Sequence, residues 1–229
     1  MQPYLFPYLG YFQLLGAADM FVFYDDVNFI KGGWINRNRI LINAKPVYFT
    51  VPLAAASSFV AINKTRVHRE RYPRWRLKFL QTLKQHYGRA LYFAPVYKLV
   101  QETLTLDPGD IAALAIRSIE HCAAYLEIGT AFKISSRDFP PTGGRGLERI
   151  LEVCCKQRVD VYINAPGGKE LYHRDIFERE RIQLEFLQPR LNPYPQNTAG
   201  FVPGLSILDV LMHNSPHQAQ AMLEQYTLE

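Results

Sequence analysis

Long apolar runs are missing from this 229-residue chain. No stretch approaches the ~20 uninterrupted apolar residues that a helix needs to cross a bilayer, so no membrane-spanning helix is expected. Cysteine is scarce. Cys122, Cys154 and Cys155 are an odd set, two of them adjacent, with no spacing that suits a disulfide framework or a zinc site. They are expected as reduced core residues of a cytoplasmic protein. No metal is expected, because His68, His86, His121, His173 and His217 stand singly without ligand spacing. Phosphate-loop, dinucleotide-fingerprint and Gly-x-Ser-x-Gly sequences are all absent, which argues against several large enzyme classes. A basic leader is lacking as well, since Pro3, Pro7, Gln13 and Asp19 interrupt an opening segment that carries no charged n-region. With 48% hydrophobic and 21% charged residues and no low-complexity run, the composition is that of a globular protein.

What the chain has in excess is positive charge in one place. Between Lys64 and Arg89, nine Lys and Arg residues accompany the single Glu70. Such a block favours an anionic partner: a nucleic acid, a nucleotide or sugar phosphate, or an acidic lipid surface. The plainer alternative is a solvated helix face.

Hydrophobic patterning alternates between strand and helix signals. Residues 1–4 read as extended, 8–18 as helical, and MFVFY at 20–24 as a buried strand. Two strands follow, Arg37 to Ile42 and Val47 to Leu53, separated by turn residues. Trp75, Phe79, Leu80, Leu83 and Tyr87 form one apolar helical stripe, and Pro108 to Asp110 announce a second helix that ends near Gly129. AFKISS, DVYIN and RIQLEFL read as further strands and GLERILEVCCKQR as a helix. Ser206 is expected to cap a helix with Asp209 as its capping-box acid. This order predicts an α/β fold, a mostly parallel sheet with flanking helices. It forms one domain over 1–229, with the loop near 138–146 as the one plausible hinge.

Several constellations carry chemistry. The opening MQPYLFPYLGYFQLL has the strand–loop–helix layout that bears a histidine signature in nucleotidylyltransferases and class I aminoacyl-tRNA synthetases, where the helix amino terminus receives phosphate. Both histidine positions hold tyrosine here, Tyr8 and Tyr11, which donate hydrogen bonds but bring no positive charge. ISSRD at 134–138 echoes a second segment of those enzymes, although Ser135 and Ser136 also read as an ordinary helix start. The densest polar segment is YDDVNFIKGGWINRNRI at the end of a predicted strand, the edge at which open α/β sheets bind ligands. Asp25, Asp26, Asn28, Lys31, Trp34, Asn36, Arg37, Asn38 and Arg39 offer carboxylate, amide, guanidinium and indole groups suited to a sugar or phosphorylated ligand. Further along, Gly167 and Gly168 before Lys169 leave room for a phosphate, and Asp209 with His213 at i and i+4 form an acid–base or a structural pair.

Together with YFTVPL, DVYINAPGGKELY, NPYPQ and FVPGLSILDVLMHN, these segments resemble the WbqC-like protein family from Met1 almost to the carboxyl terminus. The resemblance, with the opening layout, implies a relation to nucleotidylyltransferase-like (HUP) folds. It also implies a cytoplasmic transferase of O-antigen or other surface-polysaccharide biosynthesis. Such an enzyme moves a glycyl, aminoacyl or acyl group onto an activated amino sugar; the alternative is a nucleotide or sugar-nucleotide binder without catalysis. Carried onto this chain, the family's motif positions imply Asp25, Asp26 and Arg37 as catalytic residues. Gln2, Tyr4, Tyr8, Tyr11, Lys31, Trp34, Asn36, Asn38, Arg39, Gln196 and Asp209 follow as substrate-binding residues. The ligand implied is a nucleotide-sugar or other phosphorylated molecule, the cofactor at most a nucleotide or aminoacyl donor, and a tRNA donor would engage the basic 64–89 stretch. Two departures are visible: Tyr162 to Ala165 stand where the family shows Tyr-Leu-Ser-Gly, and His213 stands where a phenylalanine is usual.

Overall fold

The structure is a computed structural model that describes residues 1–104, 107–140 and 143–229. In chain order its elements are α1 (Leu9–Gly16), β1 (Met20–Phe23), β2 (Arg37–Ile42), β3 (Lys45–Thr50), α2 (Arg71–Tyr87), α3 (Phe93–Thr103), α4 (Ile111–Tyr125) and β4 (Ala131–Ile134). There follow α5 (Ser135–Asp138), α6 (Leu147–Gln157), β5 (Val161–Asn164), α7 (Arg174–Arg179), β6 (Gln183–Pro189), α8 (Ile207–His213), α9 (Pro216–Leu223) and β7 (Tyr226–Leu228). Short 3-10 turns occur at Ile62–Lys64 and Pro166–Gly168.

The chain is α/β, but the strands do not join into one mostly parallel sheet. Three small sheets form among the described residues: β1 with β4 in parallel, β2 with β3 antiparallel, and β5–β6–β7 with one parallel and one antiparallel pair. β1 runs beside β4 from Met20↔Ala131 to Phe23↔Ile134, so both strands end at one edge. The opening segment lies along the other side of β1, where the Tyr24 N–H donates to the Met1 carbonyl at 2.8 Å. The candidate site lies where these strands end.

Most helices follow the apolar stripes. α2 buries Tyr72, Phe79, Leu80, Leu83 and Tyr87 and turns its cations outward. Asp110 caps α4 by accepting from the Ala113 N–H at 2.9 Å, an N-cap of the usual kind. At α8 Ser206 does cap, but Asp209 turns into the interior; the capping box belongs to Ser215 and Gln218 at the start of α9, a helix the stripes did not reveal. A large core gathers α1 to α4, β1 to β3, α8 and α9, while Cys154, Phe177, Ile182, Leu184 and Phe186 make a smaller one under α6 and α7. The expected hinge falls partly on residues 141–142, outside the described residues.

One turn ties the early and late parts of the chain together. Phe6 adopts φ +41°, a left-handed conformation that costs a bulky residue energy, and three hydrogen bonds hold it. Its N–H donates to Ser118 Oγ at 2.9 Å, and its carbonyl accepts from Asn38 Nδ2 at 2.7 Å and Ser206 Oγ at 2.8 Å.

Candidate functional site

Asp25 and Asp26 leave the end of β1 facing the start of α5, and their environments differ sharply. Asp25 is 3% exposed and saturated. Its carboxylate accepts from the Ser136 N–H at 2.9 Å, Ser136 Oγ at 2.6 Å and Asn63 Nδ2 at 3.0 Å. Asp26 keeps part of its side chain at the surface, accepts from Ser135 Oγ at 3.1 Å through Oδ2, and lies 3.9 Å from Arg149 Nη2. Its Oδ1 is shielded from solvent and receives no hydrogen bond from any described residue. Ser135 and Ser136 therefore do not cap their own helix; their hydroxyls lock the end of β1 to the end of β4. A buried acceptor without a donor is costly, and a catalytic role is one of the reasons a fold keeps such an atom.

Arg149 reaches this edge from α6. The guanidinium is buried, donates to the Pro140 carbonyl at 3.2 Å and to the Phe139 carbonyl, and lies 3.6 Å from Glu152. Tyr24 stands in the same field: burial, then the Asp26 carboxylate, push its phenol up to about 12, so it is a neutral donor at physiological pH. Tyr172 and Tyr162 approach from the β5 side, their phenols raised first of all by burial. Gly168 lets that wall close up, because a Cβ there would sit 2.8 Å from Asn164 Nδ2 and 3.1 Å from the Tyr172 ring. The edge thus presents one under-bonded carboxylate, one guanidinium, Glu152 and neutral phenols, a set able to orient hydroxyl groups and take a proton from an amine.

The remaining expected residues divide between two other places. Arg37 donates to the Gly33 carbonyl at 3.0 Å and to the Gly32 carbonyl, and its Cζ lies 4.8 Å from the Tyr48 ring centre. Tyr48 stacks on Trp34 at 5.9 Å, and Arg39 covers Trp34 at 5.6 Å. Among the described residues no hydrogen bond or ion pair joins this array on the β2–β3 hairpin to Asp25 or Asp26; the partners of Arg37 are the Gly32 and Gly33 carbonyls and the Tyr48 ring. Asn36 donates to the Val51 carbonyl at 2.9 Å, and Lys31 is exposed.

Tyr11, Asn38, Gln196 and Asp209 have internal partners. Tyr11 is buried among Tyr4, Phe12 and Phe21 and donates to the Gln2 carbonyl at 2.9 Å, while Asn38 braces the Phe6 turn. Asp209, fully buried, accepts from Tyr87 at 2.6 Å, Tyr194 at 2.8 Å and Gln196 Nε2 at 2.9 Å. His213 Nδ1 donates to the Asp209 backbone carbonyl at 2.8 Å and stands 3.8 Å from its carboxylate, so the pair is a brace within the core. Tyr8 and Tyr4 are half-buried beside Gly10 and Tyr11. Lys169 pairs with Glu229 instead of facing a phosphate site.

Arg149, Glu152, Tyr172 and Asn63 were not among the residues expected at this edge, and Ser135, singled out within ISSRD, reads equally as a helix start. An arginine between apolar helix positions reads as a solvated charge, and its burial follows only from how α6 meets the end of β1. A groove of about 450 Å³ along α7 and the start of β6, lined by Arg174, Glu178 and Arg181, shares no residue with this edge. No group of His, Cys, Asp and Glu suited to a metal ion occurs among the described residues, and no helix there is long and apolar enough to cross a membrane.

Comparison with known proteins adds a family but no activity. The chain is 28% identical over 213 residues to "Uncharacterized protein Rv1507c" of Mycobacterium tuberculosis (strain ATCC 25618 / H37Rv), covering 90% of this chain and 89% of that one. No solved structure matches it. The model of the WbqC-like protein family matches residues 2–221, nearly the whole chain, and the chain belongs to that family.

Proposed function

We propose that the edge formed by Tyr24, Asp26, Ser135, Arg149 and Glu152 is the active site of a cytoplasmic transferase of bacterial surface-polysaccharide biosynthesis. The enzyme moves a glycyl, aminoacyl or acyl group onto an activated amino sugar. In the reaction the sugar's amine attacks the acyl carbon of the donor; a C–N bond forms and the bond from that carbon to the carrier oxygen breaks. Asp26 takes the proton released by the amine and returns it to the departing oxygen. Arg149 holds the anionic oxygens of the bound sugar derivative, and Gln2, Tyr4 and Tyr8 border the ligand from the opening segment. Asp25 acts as a positioning residue that fixes α5 against β1.

The observation that carries this reading is the contrast between the two neighbouring carboxylates, one saturated and one with a buried oxygen lacking any donor. The test incubates the protein with nucleotide-linked amino sugars and activated aminoacyl or acyl donors and reads products by mass spectrometry. Asp26→Asn is expected to lower turnover by about 10²-fold or more with little change in melting temperature. Equal turnover by wild type and Asp26→Asn would remove Asp26 from the mechanism.

A second reading has its own support. Tyr8 and Tyr11 occupy the positions at which related layouts carry histidine, and the Tyr11 phenol is bonded to the Gln2 carbonyl, so neither brings positive charge to the start of α1. A protein that binds a sugar nucleotide without transforming it would retain ligand in calorimetry and yield no product mass.

A further inference from the structure

A second feature of the early chain plays no part in that chemistry. From Val27 to Arg69 the sequence contains no Asp or Glu, yet it carries Lys31, Arg37, Arg39, Lys45, Lys64, Arg66 and Arg69. Within that segment lie five exposed large hydrophobic residues: Phe59 at 93% exposure, Tyr48 at 50%, Ile30 at 49%, and Trp34 and Val47 at 38% each. Backbone hydrogen bonds and a ring contact link the segments that carry Phe59, Ile30, Trp34 and Tyr48. The Phe29 N–H donates to the Val60 carbonyl, which sets Phe59 beside Ile30. The Gly33 N–H donates to the Ile30 carbonyl, and Arg37, over the Tyr48 ring, donates to the Gly32 and Gly33 carbonyls. Scattered exposed apolar residues are normal on soluble proteins, but a contiguous apolar tip ringed by cations marks an interaction surface.

We propose that this tip docks the protein onto an anionic lipid bilayer, with Phe59 and Ile30 entering the headgroup layer and Lys31, Arg37 and Lys45 meeting lipid phosphates. Its composition is that of an interfacial anchor, in which Trp and Tyr sit at headgroup depth and basic residues meet an acidic surface. A nucleic acid is the less suitable partner. Bases stack on open aromatic faces, whereas Tyr48 and Trp34 stack on each other and Arg37 and Arg39 cover their rings. That array accounts for where the arginines lie, but it gives Phe59 and Ile30 no partner. The tip begins at most about 18 Å of chain beyond Asp25, since Ile30 lies five positions after it. Docking would therefore hold the carboxyl edge near the bilayer surface.

Flotation of the full chain with phosphatidylcholine vesicles, with and without phosphatidylglycerol, tests the proposal. Binding is expected only with the anionic lipid and is expected to weaken with salt. Phe59→Ser should reduce partitioning about tenfold, and Lys31→Gln about fivefold, with unchanged circular dichroism. Lys78→Gln and Lys84→Gln on the outer face of α2 serve as comparisons. Three results would overturn the proposal: no flotation with anionic vesicles, losses confined to the α2 variants, or RNA binding that Phe59→Ser and Lys31→Gln abolish while flotation is unchanged. Because the readout requires no turnover, it stands or falls separately from the transferase reading.

Discussion

Replacing Tyr87 by phenylalanine should be among the most damaging single-atom deletions in this protein. Tyr87 ends α2, and its phenol joins three distant parts of the chain: it donates to Asp209 Oδ2 at 2.6 Å and accepts from the Leu41 N–H of β2 at 2.8 Å. The first bond goes to a carboxylate with no access to solvent, a class of interaction that contributes about 1.5–3 kcal/mol. Losing the second leaves a buried N–H without an acceptor, at a cost of about 1–3 kcal/mol. The expected loss is therefore about 2.5–6 kcal/mol, a large share of the roughly 5–15 kcal/mol that keeps a domain folded. In a chain of this length that corresponds to a fall in Tm of about 5–24 °C. Tyr194→Phe is the informative comparison. It also removes a donor to Asp209, but no backbone N–H depends on its oxygen, and Gln196 retains Asp209 and the Val202 carbonyl as acceptors. Its expected cost is that of the carboxylate bond alone, about 1.5–3 kcal/mol. Urea denaturation of the three proteins, followed by circular dichroism, measures both losses. If Tyr87→Phe cost less than about 1 kcal/mol, or no more than Tyr194→Phe, the assignment of Asp209 as a core brace would be wrong.

Two further expectations concern stability. Burial raises the phenol pKa values of Tyr11, Tyr87, Tyr162 and Tyr194 above the usual 10, and at Tyr87 and Tyr194 the Asp209 carboxylate adds to it. Because the folded-state values lie above the unfolded one, the unfolded chain loses these protons first: stability is full below about pH 10 and falls as pH rises beyond it, by ~1.4 kcal/mol per pH unit for each such tyrosine. Urea titrations from pH 8 to 11, with tyrosinate absorbance followed in parallel, check this; normal phenol titration in the folded protein would contradict it. Gly10→Ala should cost about 1–3 kcal/mol, since the added Cβ would lie 2.5 Å from the Tyr8 ring and 2.9 Å from Pro189 Cβ. Wild-type thermal stability in that variant would show that the Tyr8 ring is free to move aside.

Residue order alone determined the local elements whose signals are local. The unbroken apolar run MFVF becomes β1, the stripe from Trp75 to Tyr87 becomes most of α2, and Asp110 caps α4 as its position before an apolar helix requires. The polar density at Asp25 and Asp26, placed just past a strand, likewise pointed to the carboxyl edge, because side-chain chemistry and strand periodicity can both be read without knowing neighbours. Tertiary structure decided what each polar group faces. Asp209 reads as a capping acid in sequence, and α2 and the 194–196 turn bring Tyr87, Tyr194 and Gln196 against it. Arg37 stands eleven positions after Asp26, and the hairpin sets it against Gly32, Gly33 and Tyr48. Arg149 gave no signal of its own, since its burial depends on α6 arriving 123 positions after Asp26 in the chain. Hydrogen bonds and desolvation act over a few ångströms of space, and partners more than a hundred residues apart are set by packing, which no local pattern encodes.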